Sequence, residues 1–406
     1  MFERRIVFVL WSGDYGTDWK RLASGGAENY YAQRYSMEVQ GTLAQQAEVT
    51  VINITTKTVY DERMSNGVRA IGLGLRDGRS FSRVIKLLEE LKPTHLVLAT
   101  PEWRYLSWAM MRNVRVLPFF ADSFRPPSGA ARGARDRLRR QRYKLRHRAL
   151  AYLLNRPAVS VIGNHNVPAS EDLVGLGVDA NKVVPWDWPP IVKPEDHAPK
   201  KHPGGRSWSL RYVGGISYPK GLGDVLSSIA VLRKAGRDVR LTVIGRGDLE
   251  PFKALAGELG IREHVDFKGE VPHAQVVSES REVDVALVAS WHECPEGLPM
   301  TIYESLATHT PLVCSDHPMF VGRVAGHAQI FKEKDPRALA TRIEELMDQP
   351  QLYERLSQNA SAGWRKLQCA VHPHQLVQAW LEDTSEDRAF LRRNALAQRG
   401  AKHAAT

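Results

Sequence analysis

Short runs of apolar and β-branched residues alternate with longer helical patterns along most of the chain. In the first half, strands are predicted at 6–10, 49–54 and 95–99, with helices from about residue 27 and over 80–91. Alternation of this kind is typical of βαβ units, in which helices join parallel strands. The pattern predicts a doubly wound parallel sheet in the first half of the chain.

The alternation stops at 189–206 and then starts again. This segment (PPIVKPEDHAPKKHPGGR) contains five prolines and no apolar periodicity, which is typical of a linker. Beyond it, strands are predicted at 210–213, 240–244, 265–267, 283–288 and 311–314, and helices begin near Gly223, Glu250 and Met300.

The sequence therefore predicts an α/β protein of two doubly wound, Rossmann-like domains that face a cleft. The first domain is expected at 1–190 and the second at 191–375. A further helical pattern at about 376–395 is expected to return to the first domain. Ligands of such sheets bind beyond the carboxyl ends of the strands, in loops that open helices.

Composition narrows the class of protein. Of 406 residues, 43% are apolar, enough for a buried core in each domain. The three cysteines, Cys294, Cys314 and Cys369, neither pair completely nor have a zinc spacing, which argues against a disulfide framework. The apolar run at 6–11 is shorter than the core of a signal peptide, and no run approaches the ~20 residues that span a bilayer. We expect a cytoplasmic protein.

The charge is unevenly distributed. Lys and Arg number 56 against 45 Asp and Glu, a net charge of +11, and nine basic residues stand with one acid between Arg132 and Arg148. Leu138, Tyr143 and Leu145 recur there at near-helical spacing, so we predict a basic amphipathic helix. Its cations form either a solvated face or a surface for anionic lipid head groups or an anionic acceptor.

Two glycine-rich loops are candidate phosphate sites. Gly25 and Gly26 follow the first strand and are expected to open a helix, whose free N–H groups suit a diphosphate. The alternative is an ordinary structural loop. In the second domain Lys220 ends the turn GGISYPKG, where its ammonium suits a phosphate, or else it is a surface lysine.

The most specific segment is ECPEGLPMTIYESLA at 293–307. Glu296 lies in a loop and Glu304 lies eight residues later, inside the predicted helix. Carboxylates at these places suit sugar and ribose hydroxyls, and the N–H groups of Gly297 and Leu298 can receive an anionic oxygen. Pro299 cannot donate.

With these motifs the chain resembles retaining glycosyltransferases of family 4, which have the GT-B fold. The resemblance rests on the loop at Gly25, Gly26 and Glu28, the turn ending at Lys220, the segments 243–247 and 265–272, and the Glu-x7-Glu spacing of Glu296 and Glu304. It implies metal-independent transfer of a sugar, with retention, from a UDP- or GDP-sugar to a glycan or lipid-linked acceptor. Assembly of cell-surface polysaccharide or glycoconjugate is the expected setting.

The resemblance also implies roles for individual residues. Gly25, Gly26 and Lys220 would hold the donor diphosphate, Val271 would flank the base, Glu296 would contact the donor sugar and Glu304 the ribose. Gly297, Leu298 and Met300 are expected as further substrate contacts.

The chain departs from the family pattern at two places. Gly215 stands where many members carry an arginine, and Arg246 is the candidate replacement. Asp122 stands where many members carry a histidine near the reacting centre; it either orients the acceptor hydroxyl or caps a turn. His165, His273 and His292 are weaker candidates. No Asp-x-Asp occurs, so neither a divalent metal nor any cofactor beside the donor is expected.

Two other functions fit parts of the pattern. One is a nucleotide-sugar epimerase or phosphorylase of the same fold. The other is a basic nucleic-acid-binding protein, but the basic run is confined to one helix and has Tyr143 alone as an aromatic platform. We therefore expect no nucleic-acid partner, and a position on the inner face of the membrane through Arg132–Arg148.

Overall fold

The computed structural model of the chain describes residues 3–75, 80–125 and 133–403, which divide into two units. Unit 1 comprises residues 1–27, 32–189 and 369–406, and unit 2 comprises 28–31 and 190–368. Unit 2 ends at Gln368 rather than at the predicted residue 375, because Cys369 and Val371 are buried in unit 1. Residues 28–31 join unit 2 since the Tyr31 hydroxyl accepts a hydrogen bond from the Ile191 N–H at 2.8 Å.

Unit 1 is built on one eight-stranded sheet. Its strands are β1 (Arg5–Leu10), β2 (Glu48–Asn53), β3 (Tyr60–Arg63), β4 (Arg69–Gly72), β5 (His95–Leu98), β6 (Arg115–Phe120), β7 (Ile162–His165) and β8 (Val183–Trp186). They lie in the order β3-β4-β2-β1-β5-β6-β7-β8, and β3 alone runs antiparallel to its neighbour. Its first helices are α1 (Tyr15–Ala23), α2 (Gln33–Leu43), α3 (Ser80–Leu91), α4 (Trp103–Met111), α5 (Ala134–Leu154) and α6 (Val167–Gly175).

Unit 2 is built on a six-stranded parallel sheet in the order β11-β10-β9-β12-β13-β14. The strands are β9 (Trp208–Val213), β10 (Val239–Ile244), β11 (Val265–Gly269), β12 (Val285–Val288), β13 (Leu312–Ser315) and β14 (Gln329–Phe331). The α-helices are α7 (Leu222–Lys234), α8 (Glu250–Glu258), α9 (His273–Glu282), α10 (Met300–Ala307), α11 (Val321–Val324), α12 (Pro336–Asp348) and α13 (Pro350–Leu367). Short 3-10 helices lie at Pro194–Asp196, Tyr218–Lys220 and Arg262–His264.

Three last helices, α14 (Pro373–Glu382), α15 (Ser385–Arg393) and α16 (Leu396–His403), belong to unit 1. Leu376, Trp380 and Leu381 of α14 are buried in a core cluster with residues of β1 and β2. This apolar face anchors the end of the chain to the first sheet.

The central strands are apolar throughout because helices cover both faces of each sheet. Ile6–Val9 of β1 and all of β12 and β13 are buried, without the in–out alternation of a half-exposed sheet. Burial on both faces favours the β-branched runs from which these strands were predicted. The prediction of an α/β fold with two parallel sheets is confirmed.

Glycines allow a close approach of backbone at the carboxyl end of the second sheet. Gly245 has φ of 152°, and a Cβ there would overlap the carbonyl oxygen of Gly214. Gly221 has φ of 78° and approaches the carbonyl of Ala289 in the same way. The turn that carries Lys220 is therefore held against the loops that follow β10 and β12.

The proline-rich segment is irregular, but it packs on unit 2. The Lys200 N–H donates to the Ser357 hydroxyl at 2.7 Å, and the Lys200 ammonium donates to the Val283 carbonyl. Burial lowers the pKa of the Lys200 ammonium to about 7. The segment is thus a fixed part of unit 2 rather than a free tether.

Among the described helices, none combines the length and apolar character needed to cross a bilayer.

Candidate functional site

Lys220 and Glu296 form an ion pair at the carboxyl end of the second sheet. Lys220 closes the 3-10 helix after β9, and Glu296 lies in the loop between β12 and α10. The Lys220 Nζ donates to Glu296 Oε1 at 2.6 Å, and the Ser290 hydroxyl donates to the same oxygen at 2.5 Å. Glu296 is 7% exposed, so these donors fix a buried carboxylate, while the Lys220 side chain is 30% exposed.

The start of α10 adds backbone donors beside this pair. Within the part of the chain that the structure describes, the N–H groups of Gly297, Leu298 and Met300 donate no hydrogen bond. Pro299 is the N-cap of α10 and has no N–H. Free amides and the positive end of the helix dipole favour an anion here.

Glu304 lies about one turn into α10 and is also buried. Its Oε1 is 2.6 Å from His273 Nε2, and the Tyr31 ring meets the His273 ring edge-on at 5.3 Å. Arg211 is a buried residue of β9. Burial lowers the pKa of its guanidinium to about 10, and the negative charge of Glu304 opposes that shift. His273 therefore orients the Glu304 carboxylate.

Arg246 is not a free cation. Its Nε and Nη2 donate to the two carboxylate oxygens of Glu270 at 3.0 and 2.6 Å. Val271 follows Glu270 and is half-buried. A phosphate contact from Arg246 would compete with this bidentate pair.

Gly215 is exposed and lies beside Lys220. A Cβ on Gly215 would be 3.8 Å from the Lys220 side chain, an ordinary contact distance. The Cβ of an arginine at this position would therefore fit without a clash.

The expected helix start at Gly25 and Gly26 is wrong. The pair ends α1, and α2 begins at Gln33. The Gly25 N–H donates to the Leu22 carbonyl at 3.2 Å and the Gly26 N–H to the Arg21 carbonyl at 2.8 Å. These amides satisfy the end of α1, so the physical basis for a phosphate loop at this place is lost.

Asp122 follows β6 and lines a cavity of unit 1. Its N–H and carbonyl are both bonded to the Asn164 side chain, at 3.4 and 3.2 Å. Among the described residues, none donates a hydrogen bond to the Asp122 carboxylate, so turn capping is not its role. Burial raises the pKa of this carboxyl.

The weaker histidine candidates are engaged in structural contacts. His165 Nε2 is 3.1 Å from Asp187 Oδ1, both buried. His292 is held by Asp316 at 2.8 Å and by Glu333 at 3.3 Å.

Sequence reasoning missed the role of Ser290, and assigned none to His273. Ser290 follows β12, at the strand edge where ligands of such sheets bind, and that position was the available signal. The His273–Glu304 pair joins residues 31 positions apart and has no local signature.

Solved structures of glycosyltransferases share this fold, and the GT-B prediction is confirmed. Sucrose-phosphate synthase from Thermosynechococcus elongatus aligns with a TM-score of 0.62 and 15% identity, over 90% of this chain and 95% of the other. The Anabaena protein HepE in complex with UDP and glucose aligns with a TM-score of 0.62 and 12% identity, over 94% and 100%.

Residues 193–362 match the family described as glycosyl transferases group 1. The phosphatidyl-myo-inositol mannosyltransferase of Mycobacterium leprae is 28% identical over 42% of this chain and 46% of its own length. The alpha-D-kanosaminyltransferase of Streptomyces kanamyceticus is 27% identical over 37% of this chain and 39% of its own length. The chain thus spans less than half the length of these relatives. Residues 193–362 are thus similar to a group 1 glycosyltransferase domain, and the resemblance stated from the motifs is confirmed.

Proposed function

We propose that the protein is a retaining glycosyltransferase that moves a sugar from a UDP- or GDP-sugar to a glycan or lipid-linked acceptor in polysaccharide or glycoconjugate assembly. The observation that carries this proposal is the part-buried Lys220–Glu296 pair beside the free amides of α10, inside the matched domain. An ammonium and aligned N–H groups suit a departing diphosphate, and a fixed carboxylate suits sugar hydroxyls.

In the proposed mechanism the protein orients the two substrates and stabilises the charge on the leaving group, and it does not supply a strong base. The acceptor hydroxyl attacks the anomeric carbon on the face from which the diphosphate departs, and a donor phosphate oxygen takes its proton. Lys220 and the amides of Gly297 and Leu298 stabilise the charge on the leaving group, which needs no metal. Glu304, oriented by His273, holds the ribose, and Val271 flanks the base.

A panel of nucleotide sugars tests this function. The donor should raise the melting temperature, since a ligand at 100 times its Kd adds about 2.7 kcal/mol of stability. With that donor and a glycan acceptor, NMR should show a product with the donor's anomeric configuration, formed equally well in EDTA. Donor conversion without an acceptor would instead indicate an epimerase or phosphorylase.

Gly215→Arg should tighten binding of the nucleoside diphosphate. The added guanidinium lies beside Lys220 and contributes about 1 kcal/mol to a partly solvated phosphate, roughly a fivefold lower Kd. Isothermal titration calorimetry with UDP and GDP measures this. Gly205→Arg is the matched control, because Gly205 is exposed and has open space around it. An equal effect of both variants would show that net charge alone acts.

We also propose that α5 binds an anionic membrane surface. Arg132 lies outside the described residues, whereas α5 extends from Ala134 to Leu154. Leu150 and Leu154 at its end are buried, whereas Leu138 and Leu145, one heptad apart, are 49% and 65% exposed. Exposed leucines among cations suit the boundary between head groups and acyl chains. This contact would place the protein on the inner face of the membrane.

Replacing Arg137, Arg139, Arg140 and Arg142 with Gln should weaken binding to vesicles that contain anionic lipid. Each cation near such a surface contributes about 1 kcal/mol, so the loss should exceed tenfold and should shrink in high salt. Vesicle co-sedimentation measures it. A control with the same charge change replaces four exposed cations of unit 2: Lys201, Lys234, Lys332 and Arg337. Equal binding of the two variants would refute the membrane role.

A further inference from the structure

Unit 1 contains a cavity of about 620 Å³ that the proposed donor chemistry does not use. Its walls come from the end of β1 and the loops after β1, β5 and β6, from the start of α4 and from one residue of α5. The chain leaves β1 toward β2 on one side and later adds β5 and β6 on the other, so the sheet order reverses at this place. Open α/β sheets bind ligands at such a switch point, and the volume suits a small ligand.

The aromatic wall of the cavity is available for stacking. Trp11 is the first residue after β1, lines the cavity and is 45% exposed. An indole ring offers a flat apolar face to the C–H groups of a sugar ring and an N–H at its edge. Asp122 lies in the same lining, with a carboxylate that can accept from ring hydroxyls.

The cationic wall contains two arginines, Arg104 and Arg146, at different distances from the Glu102 carboxylate. Arg104 donates to Glu102 at 3.0 and 3.2 Å and lies 4.4 Å over the Phe81 ring. Arg146 is 3.7 Å from the same carboxylate, beyond hydrogen-bonding distance, and its side chain is 52% exposed. Arg104 makes the shorter contacts with Glu102, so an anion can approach the half-exposed Arg146 guanidinium, which is held by the longer ion pair.

Arg146 also connects the cavity to the basic helix. Arg142, Arg139 and Arg135 precede it by four, seven and eleven positions on α5, which places them on the same helix face, and all three are exposed. A row of cations therefore leads from the cavity along α5. A sugar ring in the cavity would have its charged substituent on this row.

We propose that the cavity binds a phosphate-bearing saccharide, with the sugar ring on Trp11 and Asp122 and the phosphate on Arg146. The proposal rests on the proposed function and names its acceptor class. Sugar and phosphate are held by different walls, so neither alone makes all the contacts.

The test is calorimetric titration of the full chain with glucose 6-phosphate, glucose and inorganic phosphate, in saturating UDP and GDP that fill the donor site. Glucose 6-phosphate should bind at least tenfold more tightly than either other probe. Trp11→Ala and Arg146→Gln should each weaken it at least tenfold. The control variants are Trp103→Ala, at the start of α4, and Arg112→Gln, directly after α4; both residues are exposed, and both variants should bind like the parent protein.

Each contrary result has its own meaning. If inorganic phosphate bound as tightly as glucose 6-phosphate, the cavity would be a simple anion surface, and if glucose did so, it would be a site for a neutral glycan. Unchanged affinity of Arg146→Gln for glucose 6-phosphate would place the ligand at a different site. Each of these results overturns the proposal. Circular dichroism checks that the variants fold, and UDP affinity should stay unchanged in both. If the sugar phosphate binds here but no nucleotide sugar binds unit 2, the glycosyltransferase proposal fails and the cavity assignment stands.

Discussion

Lys220→Met should lower kcat for sugar transfer by about 10²–10³-fold. The ammonium is a charged donor beside the free amides of α10 in the proposed site, and loss of one preorganised donor to a developing negative charge has an effect of this size. The Kd for UDP or GDP should rise as well, because the diphosphate carries charge in the ground state. Steady-state kinetics and calorimetry measure the two effects separately.

Lys220→Met should also lower the free energy of unfolding. Removing the ammonium leaves Glu296 buried with the Ser290 hydroxyl and the weak Cys294 thiol as donors, which should cost about 1–3 kcal/mol of the free energy of unfolding. Lys220→Met combined with Glu296→Gln should recover most of that stability without recovering activity. Lys253→Met removes a lysine paired with Glu250 on α8 and should leave kcat unchanged. Parent-like turnover in Lys220→Met would remove Lys220 from the proposed mechanism.

Glu296→Gln should lower kcat by about 10²-fold while the affinity for free UDP or GDP changes less than threefold. The amide oxygen can still accept from Lys220 and Ser290, so the loop keeps its shape. The charged hydrogen bonds to the donor sugar are lost, and these act on the sugar rather than on the nucleotide.

A neighbouring carboxylate serves as the control for Glu296. Glu293 lies three residues earlier in the same loop, is exposed and pairs with Lys334. Glu293→Gln should have parent-like kinetics. If Glu296→Gln instead weakened nucleotide binding tenfold and left kcat intact, Glu296 would act on the diphosphate through Lys220 rather than on the sugar.

The pattern of apolar and polar residues was sufficient to predict the α/β fold and to place the motifs of the second domain on its strands and loops. Strands covered on both faces must be apolar throughout, so β1, β12 and β13 are visible as short apolar runs. The helix over 80–91 coincides with α3, since its amphipathic repeat is a local property. The β3–β4 hairpin was not predicted, although Asn66-Gly67 between its strands is a recognised turn signal.

The local sequence pattern did not place the helix ends around Gly25 and Gly26 correctly. Asp14 caps α1 by accepting from the Thr17 N–H at 3.2 Å, a signal that could have placed this helix before the glycine pair. With α1 in place, Gly25 and Gly26 become its end instead of the start of the next helix. The N–H groups of glycines at the start of a helix are free to bind a ligand, whereas those at its end are used by the carbonyls of the helix.

By itself the sequence determined which residue types follow each strand, and hence that Lys220, Glu296 and Glu304 lie at the carboxyl edge of one sheet. The tertiary structure alone decided their partners: Lys220 with Glu296, Glu304 with His273, and Arg246 with Glu270. It also decided that the amides of Gly297 and Leu298 are free and that Trp11 and Arg146 share a cavity. Periodicity depends on neighbours within a few residues, whereas hydrogen bonds and cavities depend on distances between segments far apart in the chain.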